Sequence, residues 1–179
     1  MTSDNSGPTP TDAMIEDFEV RTRQHIERVA ANLIKLHEAT EWGAELVQRA
    51  KVHDASKYGP NERLPYIWMT EFHRCRRSGI DFAYPPGMKD QVDEAIRHHV
   101  TTNRHHPDFH PDAKDMNDID LVEMVCDWTA MAQEFGERGG SAKDWADKQV
   151  GNKWKFDEWQ VKLIYDTIDM LDRLNGVEV

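Results

Sequence analysis

Two cysteines, no Cys-x-x-Cys pair and no apolar run long enough to cross a bilayer are the first absences in this 179-residue sequence. Cys75 and Cys126 do not amount to a disulfide framework, so a reducing cytoplasm is the expected compartment, or the host cytoplasm for a phage-encoded chain. The first residues lack the basic and apolar regions of a secretory signal, and no membrane association is expected. Positive charge is scarce too: 22 Lys and Arg stand against 33 Asp and Glu, a net charge of -11. A general nucleic-acid binder needs a basic surface to neutralise phosphates, so no stable nucleic-acid complex is expected. An acidic enzyme still binds an anionic substrate where metal ions and a few Lys or Arg residues reverse the local field. Alternating runs that would build strands are missing, as are internal repeats.

Histidine is abundant by contrast. Five of the nine histidines fall between residues 98 and 110. Such a cluster is either a metal site or a solvated loop, and its neighbours decide which. Residues 1–12 are nearly devoid of apolar side chains and read as a disordered tail. From about 13 to 37, Ile15, Phe18, Ile26, Val29, Leu33 and Leu36 recur at helical spacing. Helical patterns follow over about 42–53, 61–78, 89–101, 118–135, 142–149 and 155–174. Gly59-Pro60, Pro85-Pro86, a Pro-containing loop over 102–117, and Gly136, Gly139 and Gly140 separate them. Asn117 or Asp118 is placed to cap the fifth helix. These features predict an all-α, single-domain helical bundle of about six or seven helices over residues 13–179.

The helical registers set several chemistry-bearing residues on inward faces. His25 shares a face with Val29, Leu33 and Leu36. His53 shares one with Gly43, Leu46 and Ala50. His99 aligns with Val92, Ala95 and Ile96, and Asp127 with Asp120, Met124 and Met131. Asp127 stands between Cys126 and Trp128, where a carboxylate is costly to bury unless it is paired or ligated. The adjacent pair His53-Asp54 is poor packing material but suits a divalent cation, which both neutral imidazole and carboxylate ligate. Plainer readings stand beside these. Asp120 can serve as a helix-start acid, Glu62 as a first-turn acid and Lys57 as a solvated lysine. The tryptophans at 42, 68, 128, 145, 154 and 159 are mostly core by spacing, and Arg74, Arg76 and Arg77 form a solvated face.

The order His25, His53-Asp54, Asp127 resembles the metal-binding core of the HD-domain metal-dependent phosphohydrolases. The flanking Lys57, Glu62 and Asp127-Trp128 are similar to a small bacterial and phage branch of that superfamily, over about residues 20–175. The resemblance implies an HD-type helical fold in which His25, His53, Asp54 and Asp127 hold one divalent metal ion (Mn, Co, Mg, Zn, Ni or Fe). The metal would activate a water for attack on phosphorus. Asp54, Lys57 and Glu62 would carry the chemistry, Lys57, one helical turn after His53, as a phosphate-binding cation and Glu62 as a proton shuttle or water-orienting group. His99, Arg104, His105 and His106 would grip the substrate, or the histidines would hold a second ion. The implied substrate is a small nucleotide, a deoxynucleoside mono- or triphosphate such as dATP. A cyclic-nucleotide or alarmone phosphodiesterase, and a non-catalytic or di-iron metal-binding helical protein, are the alternatives. A homo-oligomer is compatible with this reading.

Overall fold

The computed structural model, which describes residues 9–136 and 140–177, turns the periodic segments into seven α-helices. These are α1 (Asp12–Ala39), α2 (Ala44–Val52), α3 (Arg63–Arg77), α4 (Met88–Thr102), α5 (Asp118–Phe135), α6 (Ala142–Gln149) and α7 (Glu158–Leu174). Short 3-10 turns occupy Ala55–Tyr58, Pro107–Phe109 and Ala113–Asp115. Among the described residues there is no strand, and one isolated bridge joins Val150 to Trp154. The all-α expectation therefore holds. No described helix is long and apolar enough to cross a membrane.

Residues 1–8 of the expected tail lie outside the described residues, as does Gly139. The tail's last position, Asp12, already belongs to α1. The 102–117 segment, read as an irregular loop, contains two of the 3-10 turns. The seventh helix starts three residues later than its pattern suggested, at Glu158 after the N-cap Asp157.

Internal contacts divide the chain into two compact units. The first comprises residues up to Arg23 together with Ala55–His99. Its small core joins Met14 and Phe18 of α1 to Tyr66 and Ile67 of α3 and Ala95 of α4. Ile96 does not join its expected partners: it is 39 % exposed, while Val92, Ala95 and His99 are buried. Apolar residues one position apart point about 100° apart on a helix, so only one of Ala95 and Ile96 can face a narrow core.

The second unit comprises Gln24–Asp54 together with residues from Val100 onward. Its larger core gathers Leu33 and Leu36 of α1, Leu46 of α2, Leu121 and Val125 of α5, and Ile164, Ile168 and Leu171 of α7. Here α5 is the central element. Ile119 through Cys126 are buried in an unbroken run, which is the behaviour of a helix enclosed on all sides rather than of an amphipathic one. Its start is fixed from two directions. Asn117 Oδ1 accepts from the Asp120 backbone N–H at 2.8 Å, satisfying one of the orphan donors of the first turn. The amide of Gln160, buried in α7, donates to the Met116 carbonyl at 2.9 Å. Trp159, expected in the core, is 51 % exposed.

This division of faces predicts contrasting stabilities. Leu121→Ala opens a cavity in a closed core and should cost about 2–5 kcal/mol, whereas Ile96→Ala should stay within about 0.5 kcal/mol of the parent. Urea denaturation followed by circular dichroism measures both, and equal losses would contradict the assignment of faces.

Candidate metal centre

Three helices of the second unit deliver four side chains to one point. His25 comes from α1 and Asp127 from α5. The other two arise where α2 stops. His53 caps that helix with extended geometry, φ -51° and ψ 127°, while its backbone N–H still reaches the Arg49 carbonyl. Asp54 then adopts φ +55°, the left-handed region, and is the one non-glycine residue with positive φ among those described. Asp is among the few side chains that tolerate this region. Successive residues of a continuing helix would diverge by about 100° around its axis. The left-handed turn removes that constraint, and neighbouring side chains converge.

The convergence is close. His25 Nε2 lies 2.9 Å from Asp127 Oδ1 and 3.5 Å from Asp54 Oδ2. His53 Nε2 lies 3.6 Å from the same Asp54 oxygen and 3.7 Å from the same Asp127 oxygen. The four atoms therefore form a closed ring of two nitrogens and two oxygens. Two ligand atoms each about 2.1 Å from a shared ion lie about 3.0 Å apart at a right angle and about 3.4 Å at the tetrahedral angle. The ring has the dimensions and the mixed imidazole–carboxylate donors that a divalent cation takes. His53 Nε2 is buried and beyond hydrogen-bond distance of both carboxylates. His25, His53 and Asp54 are buried. Asp127 keeps 17 % of its side chain exposed, so the ring has an open edge.

More ligating groups adjoin it in the same unit. Asp54, His105 and His106 offer donor atoms within 4.8 Å of one another. Asp54 Oδ1 and His105 Nε2 are 3.6 Å apart. Behind His53, Glu123 Oε1 meets His53 Nδ1 at 2.8 Å and His105 Nδ1 at 3.5 Å. Arg49 bridges Glu123 Oε2 at 2.8 Å and Asp120 Oδ1 at 2.6 Å. Arg104 grips Asp120 through Nε at 3.1 Å and Nη2 at 2.8 Å. Asp120 is thus a buried ion-pair centre and not only a helix-start acid. Sequence reasoning missed Glu123 and Arg49. The spacing Asp120, Glu123, Asp127, an i, i+3, i+7 stripe of acids through the apolar middle of the helix, was the available signal.

Burial and charge work against each other here. Desolvation lowers the His53 pKa, but the carboxylate of Asp54, with Asp127 and Glu123, outweighs it and pushes the value up to about 10. Burial raises Glu123 and Asp127, yet the neighbouring histidines win in both. His105 and His53 bring Glu123 down to about 2. His25 and His53 hold Asp127 well below the usual carboxylate range. Burial pushes the Cys126 thiol up, and Cys126 belongs to the hydrophobic core of the unit.

The remaining expected site residues belong to the first unit. Lys57 does not lie one helical turn beyond His53, because α2 has ended and Lys57 sits in the Ala55–Tyr58 turn. Its ammonium lies 5.7 Å from the centroid of the Tyr66 ring. Glu62 is wholly buried at the N-cap of α3 and makes no capping bond. Instead its two oxygens meet His98 Nδ1 at 2.7 Å and His99 Nδ1 at 2.9 Å. Burial raises the Glu62 pKa, but those histidines overcome it and hold the carboxyl below its usual value.

A family model described as a family of unknown function (DUF5662) matches residues 14–170, a span that runs from within α1 to within α7 and includes every residue of the ring. No curated protein and no solved structure matches the chain.

Two outcomes follow from the ring. Asn tolerates the left-handed backbone as Asp does, so Asp54→Asn should remain folded and helical while losing divalent-ion affinity. The loss should exceed the roughly 10–100-fold typical of removing a group behind a ligand. Calorimetric titration with Mn or Zn measures it, and undiminished affinity would refute the ring. The second outcome concerns protons. His53 in the metal-free protein binds its proton more tightly than an unfolded histidine does, with a pKa near 10 against about 6.5. That contribution to stability is complete below about pH 6.5 and fades as pH rises through about 10. At pH 8 the ion must displace this proton, so binding enthalpies in buffers of different ionisation enthalpy should reveal about one proton released. Buffer-independent enthalpy would contradict the charged His53.

Proposed function

Because the chain belongs to the DUF5662 family, whose description assigns no activity, its chemistry rests on the site, and we propose that it is a metal-dependent phosphohydrolase acting on a small nucleotide. The observation that carries the proposal is the ring of His25 Nε2, His53 Nε2, Asp54 Oδ2 and Asp127 Oδ1, with edges of 2.9, 3.5, 3.6 and 3.7 Å. Its residues stand in the order that resembles the HD-domain phosphohydrolases. A divalent cation held there supplies a Lewis acid that acidifies water near neutral pH and offsets charge on phosphoryl oxygens.

The chain's own residues have separable tasks. His25 and His53 supply neutral nitrogen donors, and Asp54 and Asp127 supply negative charge. Asp54 has a second oxygen directed at His105 Nε2, so it can serve the ring and the adjoining histidines together. Arg104, 46 % exposed and held in orientation by Asp120, is a cation for substrate phosphate. His105 and His106 add donors in the same unit. With both oxygens on histidines, Glu62 orients His98 and His99, and proton transfer through it would have to pass by those rings. The substrate class is a deoxynucleoside mono- or triphosphate.

The grouping of Asp54, His105 and His106 favours a second reading, in which the same centre takes two ions. Metal stoichiometry separates the two: His105→Ala should lower it from two ions to one if the second position exists, and leave it unchanged if His105 grips phosphate.

The decisive experiment supplies Mn, Co, Mg, Zn, Ni and Fe in turn. It follows release of phosphate, pyrophosphate or triphosphate from nucleoside mono- and triphosphates, cyclic nucleotides and alarmones. Turnover should depend on added metal and vanish in Asp127→Asn. Arg104→Ala should lower turnover with metal content intact, since a guanidinium gives its charge to the phosphate and none to the ion. A protein that binds metal stoichiometrically yet cleaves no member of the panel would favour the non-catalytic metal-binding reading.

A further inference from the structure

His53 is the ring member whose surroundings are most completely specified, and those surroundings assign a role to Glu123. An imidazole ligates a cation only through a nitrogen that carries no proton, so the other nitrogen must hold it. At His53 the two nitrogens face different worlds. Nε2 looks toward Asp54 and Asp127 at 3.6 and 3.7 Å. Nδ1 lies 2.8 Å from Glu123 Oε1. A carboxylate only accepts, so the proton belongs on Nδ1 and the lone pair on Nε2. His53 is buried, with no solvent to turn the ring over.

We propose that Glu123 is the positioning residue of this centre: its carboxylate fixes the Nδ1–H form of His53 and so aims the Nε2 lone pair at the ring. The inference rests on the metal-site reading. The competing role, Glu123 as a ligand together with His53 and His105, has donor atoms close enough to be considered. It fits less well. As a ligand in that group, Glu123 would give up its bond to His53 Nδ1, and His53 would turn its donor away from Asp54 and Asp127. Glu123 is also gripped from behind. Arg49 Nη1 donates to Oε2 at 2.8 Å, and Arg49 is in turn tied to Asp120 at 2.6 Å. Both carboxylate oxygens are engaged, one by the imidazole it orients and one by a guanidinium that keeps it in place.

Glu123→Gln is the informative substitution because it preserves volume and removes one acceptor. Arg49 only donates, so the single amide oxygen must turn to Arg49 or to His53. The charged guanidinium is the stronger claimant. The amide NH₂ then faces Nδ1 and forces the proton onto Nε2, where it blocks the ligating lone pair. Asp120→Asn is the control: it loosens the same Arg49 without touching His53.

The test uses the full-length protein and Zn or Mn ions. Calorimetric titration should find Glu123→Gln weaker by tenfold to a hundredfold, with Asp120→Asn little changed. Nitrogen–proton correlation spectra of the histidine rings should place the proton of metal-loaded His53 on Nδ1 in the parent protein. The same proton should be shifted downfield in the metal-free parent and lose that shift in Glu123→Gln. Equal affinity in Glu123→Gln and parent would overturn the proposal, as would equal weakening in both variants accompanied by equal loss of thermal stability. A parent protein that binds no divalent ion would remove the metal reading by itself. The downfield Nδ1 proton would then still decide the role of Glu123, its presence supporting the orientation and its absence ending it.

Discussion

Negative charge buried along α5 is the constraint from which the rest of the centre follows. Asp120, Glu123 and Asp127 occupy one stripe of a helix whose Ile119–Cys126 stretch is wholly buried. Unpaired, each would carry a desolvation penalty large enough to threaten a domain of ordinary stability. The structure answers with specific cations and donors. Asp120 has Arg49 and Arg104, Glu123 has Arg49 and His53, and Asp127 has His25 and His53. Arg suits the shared positions because its planar fork can serve two carboxylates at once, which a lysine ammonium does with less geometric definition.

The compensation is incomplete in formal charge. Asp54, Asp120, Glu123 and Asp127 bring four negative charges, and Arg49 and Arg104 bring two positive ones, leaving two negative charges. A divalent ion held there would supply that difference with the histidines neutral. Without one, His53 draws a proton and holds it up to about pH 10. The carboxylates that would attract an ion are the same ones that attract the proton. The excess of acid in the whole chain, a net -11, therefore has a local counterpart that is structured, not merely solvated.

The parts legible in the sequence were those governed by local rules. The 118–135 and 142–149 segments form helices with those bounds because Asn117 and Ser141 cap them and glycine follows the first. His25 and Asp127 could be placed inward because their flanks are apolar at helical spacing. The failures share a cause as well. Ile96 and Trp159 are apolar residues at the margin of a helical face, where period alone does not say which neighbour wins the core. Lys57 was misplaced because the helical register was carried past His53, across a left-handed residue that no propensity announces. Glu123 and Arg49 escaped notice because a charged helix residue ordinarily points to water, and only the tertiary pairing shows that these do not.

Asp54 links these observations. Its left-handed backbone costs about 1 kcal/mol or more relative to an ordinary conformation, and nothing in the sequence near it supplies a glycine to avoid that strain. The gain is geometric. Had α2 continued, His53 and Asp54 would have pointed to different sides of the helix, and one of them would have missed the ring. Terminating the helix at Val52 and reversing the handedness at the next residue but one lets a dipeptide act as two converging donors. Asp54 is also the last residue of its unit before the chain passes to the other. A residue strained at the end of an element and surrounded by buried donors takes its position from the groups it meets, because packing alone would favour relaxing it.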